Sequence, residues 1–362
     1  MTMLSNRPRP THRLVTDILR SLVQDDIETA SELLASEGAD IEELCALLIK
    51  SKLSGYFHTL ISNTALTGYF AAGQLAKLEA GYQRQVEKNK NSLKLLGDIQ
   101  NQLGKASIPF LTMKGFYLAQ HFFGDVRNRF MWDIDILVRP EDLEAAIVAV
   151  AGAGLQPTSD ITIDLRNPFW RIHAVEVRGE TGKLDIHHTI RNLPKITFDN
   201  DRLWNNSQEF TIGRERFATI SDTDTLLMAS VGIGTDLQTS HHNLRKIWDI
   251  YMMLRQLDAT TDWDDYFATR NAEGSLKLVI NVFSFCILLL GAERDFPRLG
   301  RAVSLYSHMI LINSEQQAEE IFARGRQHIA NRILFSRLLP APALHYWLGW
   351  LLTAPARVWH YR

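Results

Sequence analysis

Two aspartates separated by one residue are the strongest chemical signal in the sequence. Asp133 and Asp135 lie in residues 132–138, where apolar residues alternate with them as in a strand. Because side chains of a strand alternate between its faces, both carboxylates are expected on one face, roughly 7 Å apart. That spacing is too wide for a shared proton. It suits one or two hard divalent cations, such as Mg²⁺ with its oxygen ligands.

A third carboxylate has a similar context. Residues 183–188 read Lys-Leu-Asp-Ile-His-His, and strand alternation places Lys183, Asp185 and His187 on one face. If this strand pairs beside the first, Asp185 joins a cluster that could hold two cations at the roughly 3.5–4 Å spacing of in-line phosphoryl displacement. Alternatively, the Asp-x-Asp pair is solvated on an edge strand. His187 could touch a substrate from this face, but a surface histidine at the strand end is expected.

The preceding segment could bind phosphate. Residues 111–117 predict a strand, a turn at Gly115 and the start of a helix, whose backbone N–H groups and dipole favour an anion. Lys114 adds a positive charge, and Arg127 and Arg129 could bind phosphate oxygens in bidentate fashion. The alternative is a structural turn with basic residues on the surface.

The surrounding pattern predicts an α+β fold: a small mixed β-sheet core flanked by N- and C-terminal helical regions. Apolar residues at three- and four-residue spacing predict helices before residue 105, including one long helix over 70–104 ended by Gly104. Strands are predicted over 109–113, 131–138, 161–165, 170–177, 183–189 and 210–220. After these, helices are predicted over 223–231, 242–256, 262–270 and 275–290. The expected domains are 1–104, 105–220 and 221–362.

These motifs resemble the uncharacterised nucleotidyltransferase family, within the DNA-polymerase-beta-like nucleotidyltransferase superfamily. The resemblance lies in residues 113–119, 129–138 and 184–188, and covers roughly 105–295. The family pattern has Lys-Gly, an Arg, Asp-x-Asp-Leu-Leu-Val, a helix that often begins Arg-Pro-x-Asp and a later Asp-Leu-His-Trp. Residues 139–142, Arg-Pro-Glu-Asp, fit that helix start.

The resemblance implies Mg²⁺-dependent transfer of a nucleoside monophosphate from an NTP to an acceptor, with release of pyrophosphate. Six residues are implied: Asp133, Asp135 and Asp185 as metal ligands at a two-ion site, and Lys114, Gly115 and Arg129 for the triphosphate. Asp185 could instead be the base for the attacking hydroxyl. Family members often accompany peptide natural-product clusters, so the acceptor could be a peptide or small molecule.

The chain departs from the pattern at three places. Phe116 stands where superfamily enzymes usually carry Ser, His188 where the family carries Trp, and residues 230–234 lack a histidine that relatives tend to have. The alternative is therefore a catalytically inactive nucleotide- or peptide-binding protein of the same fold. A second alternative is an interaction scaffold that acts through its helical ends.

Composition limits the remaining classes of function. The 362 residues carry 39 basic and 41 acidic side chains, so no general nucleic-acid binding is expected. Two cysteines cannot build a disulfide framework and are expected as buried thiols. Neither a signal peptide nor a transmembrane segment is predicted, and a cytoplasmic location is expected. Histidine-based zinc binding is not favoured by the spacing of 187–188 and 241–242. The aromatic segment around Trp347 could dock on the protein, a partner or a membrane surface.

Overall fold

The computed structural model describes residues 10–158, 173–193, 195–239, 244–323 and 329–340. Within these residues, helices precede and follow one seven-stranded mixed sheet, which confirms the expected α+β class. The predicted strand at 161–165, the histidines at 241–242 and the aromatic segment around Trp347 lie outside the described residues.

Five helices come before the sheet in the described chain. They are α1 (Thr11–Val23), α2 (Ile27–Ala35), α3 (Ile41–Lys50), α4 (Ser54–Ile61) and α5 (Ala72–Lys105), with a 3₁₀ turn at Ala65–Tyr69. Asp26 and Asp40 begin α2 and α3 because their side chains accept hydrogen bonds from backbone N–H groups in the first turn. The long helix is confirmed and runs one residue past Gly104.

The strands are short, and their order differs from the chain order. They are β1 (Leu111–Met113), β2 (Ile134–Leu137), β3 (Gln156–Pro157), β4 (Ala174–Gly179), β5 (Gly182–His187), β6 (Gln208–Ile212) and β7 (Glu215–Thr219). The sheet order is β3-β4-β5-β2-β1-β7-β6, with β2–β5 and β1–β7 parallel. The single strand predicted over 210–220 is wrong: two antiparallel strands meet at a turn, where Gly213 has a φ of +62° that favours glycine.

Three short helices connect the strands in the described chain. They are α6 (Gly115–Tyr117), which continues into a π-helical turn at Leu118–Phe122, α7 (Leu143–Val150), which lies between 3₁₀ turns at Pro140–Asp142 and Ala151–Ala153, and α8 (Asn200–Asn205). The Arg-Pro-Glu-Asp helix start thus begins as a 3₁₀ turn, for which Pro140 fixes the first φ.

Helices return after the sheet. They are α9 (Asp222–Thr239), α10 (Leu244–Leu257), α11 (Trp263–Glu273), α12 (Leu276–Leu290), α13 (Pro297–Ser304), α14 (Glu315–Ala323) and α15 (Ile329–Leu338), with a 3₁₀ turn at Ser307–Met309. No helix in the described ranges is both long and apolar enough to cross a membrane.

One buried apolar cluster runs from α1 through the sheet to α15. Helix α1 caps the C-terminus of α12. Arg13 and Arg20 of α1 donate hydrogen bonds to four backbone carbonyls at that end of α12. Cys45 and Cys286 are buried free thiols, as expected. The division at 104/105 and 220/221 into three domains stays a prediction.

Candidate active site

Two parallel strands place the central carboxylates side by side. Asp135 of β2 and Asp185 of β5 are partners in the strand register. On the opposite face, Ile136 and Ile186 are fully buried in the core, so strand alternation turns both carboxylates to the other face. The two strands are neighbours although about fifty residues separate them in sequence. The structure thus brings together two of the three predicted carboxylates.

His187 belongs to the same cluster. Its Nε2 lies 3.1 Å from Asp135 Oδ1, and its side chain is only 6% exposed. The expectation of a surface histidine is therefore wrong, because Asp135 and the ring of His173 lie against the imidazole. Strand alternation had placed His187 on the face of Asp185, but it did not show that this face is buried at His187. Ligand atoms of Asp135, Asp185 and His187 all lie within 4.8 Å of one another.

Asp133 lies just before β2 and outside that three-residue group. It is joined to the cluster by Lys183, whose Nζ lies 3.6 Å from Asp133 Oδ2 and 3.2 Å from Asp185 Oδ1. The same ammonium contacts Glu176 Oε2 at 2.7 Å. Lys183 therefore neutralises part of the negative charge that three nearby carboxylates create.

The Lys-Gly turn lies beside the carboxylates. Lys114 Nζ is 3.5 Å from Asp135 Oδ1. Lys114 has φ +51° and ψ −125°, a conformation that favours glycine, and Gly115 follows at φ +23°. Side chains in such conformations are costly and are concentrated at functional sites. The strained backbone directs the lysine at the acidic cluster, while Phe116 is buried in the core.

Electrostatics differ between the two paired aspartates. Burial acts to raise the pKa of Asp135, but Lys114 and His187 outweigh it and hold that pKa well below its usual range. Burial, followed by the negative charge of Asp135, raises the pKa of Asp185 to about 6. Two carboxylates so close together resist simultaneous ionisation unless a cation compensates them. The ammonium groups of Lys114 and Lys183 compensate part of this negative charge.

Arg129 is placed differently from the expectation. Its side chain is 7% exposed and makes two hydrogen bonds to Asp249 of α10, at 2.7 and 2.8 Å. The guanidinium is therefore engaged with a carboxylate of the C-terminal helices. Arg127 pairs with Asp125 at the surface. Phosphate binding by Arg129 stays a prediction that this contact does not support.

The donor set fits a divalent cation. Two carboxylates and an imidazole converge, and His187 Nδ1 is buried without a hydrogen-bond partner among the described residues. Carboxylate oxygens suit Mg²⁺ or Mn²⁺, and imidazole nitrogen is a ligand of transition metals. The carboxylates concentrate negative charge that attracts a cation, and Lys114 and Lys183 place positive charge directly beside it.

The mixed sheet thus brings carboxylates of neighbouring strands together beside the strained Lys-Gly turn. The chain belongs to the uncharacterised nucleotidyltransferase family, whose sequence model matches residues 37–291. The match begins well before residue 105, so it includes α3, α4 and α5, which the motif resemblance did not cover.

A solved structure of the antibiotic-resistance factor ANT(2'')-Ia has limited similarity to the chain. The two share 12% identity with a TM-score of 0.38, over 51% of this chain and 91% of the other. No functionally curated protein matches the chain in sequence.

Proposed function

We propose that the protein is a divalent-cation-dependent nucleotidyltransferase that moves a nucleoside monophosphate from an NTP to an acceptor hydroxyl. The observation that carries the proposal is the register pairing of Asp135 with Asp185 in a chain of this family. Carboxylates on adjacent strands can share cations between them, which phosphoryl transfer uses for charge neutralisation. Mg²⁺ is the proposed cation, at a two-ion site.

Asp133, Asp135 and Asp185 are proposed to hold the metal, with His187 fixing the orientation of the Asp135 carboxylate. When bound, Mg²⁺ would neutralise negative charge on the transferring phosphoryl group. Lys114 and the backbone at Gly115 are proposed to bind the triphosphate. Such residues accelerate the reaction mainly by positioning and by electrostatic stabilisation.

The proposed reaction is one displacement at phosphorus. The acceptor oxygen forms a bond to the α-phosphorus while the bond from that phosphorus to the β-phosphate oxygen breaks, and pyrophosphate leaves. Asp185 is the proposed acceptor of the hydroxyl proton, unless its oxygens are both used in metal binding. The acceptor class, a peptide or a small molecule, and the cytoplasmic location are further parts of this proposal.

A second candidate is a nucleotide-binding protein without turnover. The observation that favours it is Phe116, which is 4% exposed and offers no hydroxyl to phosphate directly after Gly115. Under this alternative the acidic cluster would bind a cation–nucleotide complex, but no pyrophosphate would be released.

The experiment measures Mg²⁺-dependent protection from thermal unfolding by each of the four NTPs. A ligand that binds only the folded chain raises its apparent stability by mass action. We expect protection in the unaltered chain and its loss in Asp133→Asn/Asp135→Asn. The control, Asp98→Asn/Asp264→Asn, removes the same charge at two exposed positions and keeps the protection.

Turnover separates the two candidates. Pyrophosphate release in the presence of the protecting NTP and a peptide or small-molecule acceptor supports the transferase. Protection without pyrophosphate release supports the binding protein. Protection that persists in Asp133→Asn/Asp135→Asn, or is absent with every NTP, contradicts the proposed site.

A further inference from the structure

The loop that leads into β2 has no regular secondary structure of its own. We define the approach loop as residues 126–133, which end at the proposed metal ligand Asp133. Backbone polar groups inside a protein need partners, and this loop cannot find them in a helix or sheet ladder. Side chains from two helices supply these partners instead.

Asn89 of α5 makes three of these hydrogen bonds. Its Nδ2 donates to the backbone oxygens of Val126 and Arg129, at 2.7 and 2.8 Å. Its Oδ1 accepts from the backbone N–H of Met131 at 3.3 Å. The side chain is 2% exposed. One amide group thus fixes three points of the approach loop, the last of them two residues before Asp133.

Gln85, one turn earlier on the same face of α5, adds a fourth bond. Its Nε2 donates to the backbone oxygen of Arg127 at 2.5 Å. Room for this buried amide comes from Gly55 of α4, since a Cβ there would lie 2.7 Å from Gln85 Oε1. Residues four apart share one face of a helix, so Gln85 and Asn89 act on the loop together.

The opposite side of the approach loop is held by α10. Arg245 donates to the backbone oxygen of Phe130 at 2.8 Å, and Arg129 binds Asp249. The loop is therefore fixed between an N-terminal and a C-terminal helix. Asparagine is a poor helix former, and these buried contacts offset the helix-propensity cost of Asn89.

We propose that Asn89 is a positioning residue for nucleotidyl transfer, which holds the approach loop so that Asp133 and Asp135 face Asp185. The proposal rests on the proposed function, and it assigns the N-terminal helices a part in the active site. Metal ligands depend on the groups that orient them, and loss of such groups typically weakens metal affinity roughly tenfold to hundredfold.

The test measures Mn²⁺ binding to the full-length chain, by the loss of the free-ion EPR signal, together with amide hydrogen exchange across the approach loop. Asn89→Leu removes all three bonds at similar volume. We expect an at least tenfold higher Kd for Mn²⁺ and faster exchange at the Met131 amide, measured well below the unfolding midpoint. Gln100→Ala, on the same helix, removes one exposed bond to a backbone oxygen and is expected to change neither.

If Asn89 served stability alone, the folded variant would bind Mn²⁺ with the same Kd as the unaltered chain. A higher Kd in the folded variant therefore shows a positioning role. If Asn89→Leu does not fold, Asn89→Ala is used, because it removes the same three bonds, adds no bulk and favours the helix, and the same rise in Kd is expected. An unchanged Kd in a folded Asn89 variant overturns the positioning role. If the unaltered chain binds Mn²⁺ no better than Asp133→Asn/Asp135→Asn, the proposed function fails, and the positioning role with it.

Discussion

Arg129 and Asp249 form a buried, bidentate ion pair between the approach loop and α10, with N–O distances of 2.7 and 2.8 Å. The two residues are 120 positions apart in the chain. Arg245 lies close to both, and burial together with the positive charge of Arg129 lowers its pKa to about 10. One carboxylate therefore acts on two buried guanidinium groups, which makes the pair electrostatically asymmetric.

That asymmetry predicts unequal costs for the two partners. Asp249→Asn removes the largest of the negative charges that act on the two arginines, ahead of Asp133 and Asp135, and is expected to cost about 3–5 kcal/mol of unfolding free energy. Arg129→Met leaves Arg245 near the carboxylate and is expected to cost less. Urea denaturation measures both, with Glu209→Gln at the exposed pair with Arg216 as a control worth about 0–1 kcal/mol. An equal or larger loss in Arg129→Met would contradict the asymmetry.

The strained turn at Lys114 predicts that glycine and alanine variants differ in stability but not in ligand binding. Lys114→Gly removes both the charge and the strain of the positive φ, whereas Lys114→Ala removes only the charge. The glycine variant is expected to be more stable than the alanine variant by about 1 kcal/mol. Both should lose the same part of the NTP protection, as measured by thermal unfolding. A more stable alanine variant would show that the turn is not strained.

Close packing of α4 on α5 predicts that a methyl group added to α4 disturbs Gln85, and through it the approach loop. Gly55→Ala would place its Cβ against the buried Gln85 amide and is expected to cost about 1–3 kcal/mol. Gly73→Ala, with nothing within 4 Å, should instead stabilise α5 by up to about 1 kcal/mol. Thermal midpoints compare the two variants, and equal midpoints would show that Gln85 can move without cost.

A half-buried imidazole predicts a loss of stability in acid. Burial, followed by the positive charge of Arg13, lowers the pKa of His12 below 6.5. His12 Nε2 is buried without a hydrogen-bond partner in the described ranges. Below about pH 6.5 the unfolded chain binds a proton that the folded chain resists, so this part of the stability is present above that pH and is lost as the pH falls.

The variant His12→Gln tests this titration. The variant should lose less stability than the unaltered chain as the pH falls. At pH 8 the two chains should have similar free energies of unfolding. Urea denaturation between pH 8 and pH 5 measures the difference. Parallel pH profiles for the variant and the unaltered chain would show that His12 does not contribute.

Several parts of the site were predictable from local sequence. Alternation placed Asp135 opposite the apolar face of its strand, and Asp185 opposite the apolar face of its own, because the period of two is a property of any strand. The Lys-Gly turn before α6 was predicted by a strand followed by glycine and a helical pattern. The seven-stranded order was not, because a long crossover between β2 and β5 carries no signal of which strands become neighbours.

Other parts had no local signal. No residue near Arg129 in the sequence indicates that its side chain is paired, because its partner Asp249 lies 120 residues further along the chain. Asn89 lies within Glu-Lys-Asn-Lys-Asn, residues 87–91, which reads as a solvated helix face. His187 was expected at the surface because nothing near it in the sequence shows that Asp135, 52 residues away, packs against its side chain.

The sequence by itself determined the α+β class, the faces of the acidic strands and the family. Local periodicity and residue type decide these features, and each acts over a few positions. Tertiary structure alone decided that Asp135 meets Asp185 and His187, that Arg129 is neutralised by Asp249, and that α5 holds the approach loop. Those contacts join residues tens to more than a hundred positions apart, and they form because buried polar groups must find partners wherever packing brings them.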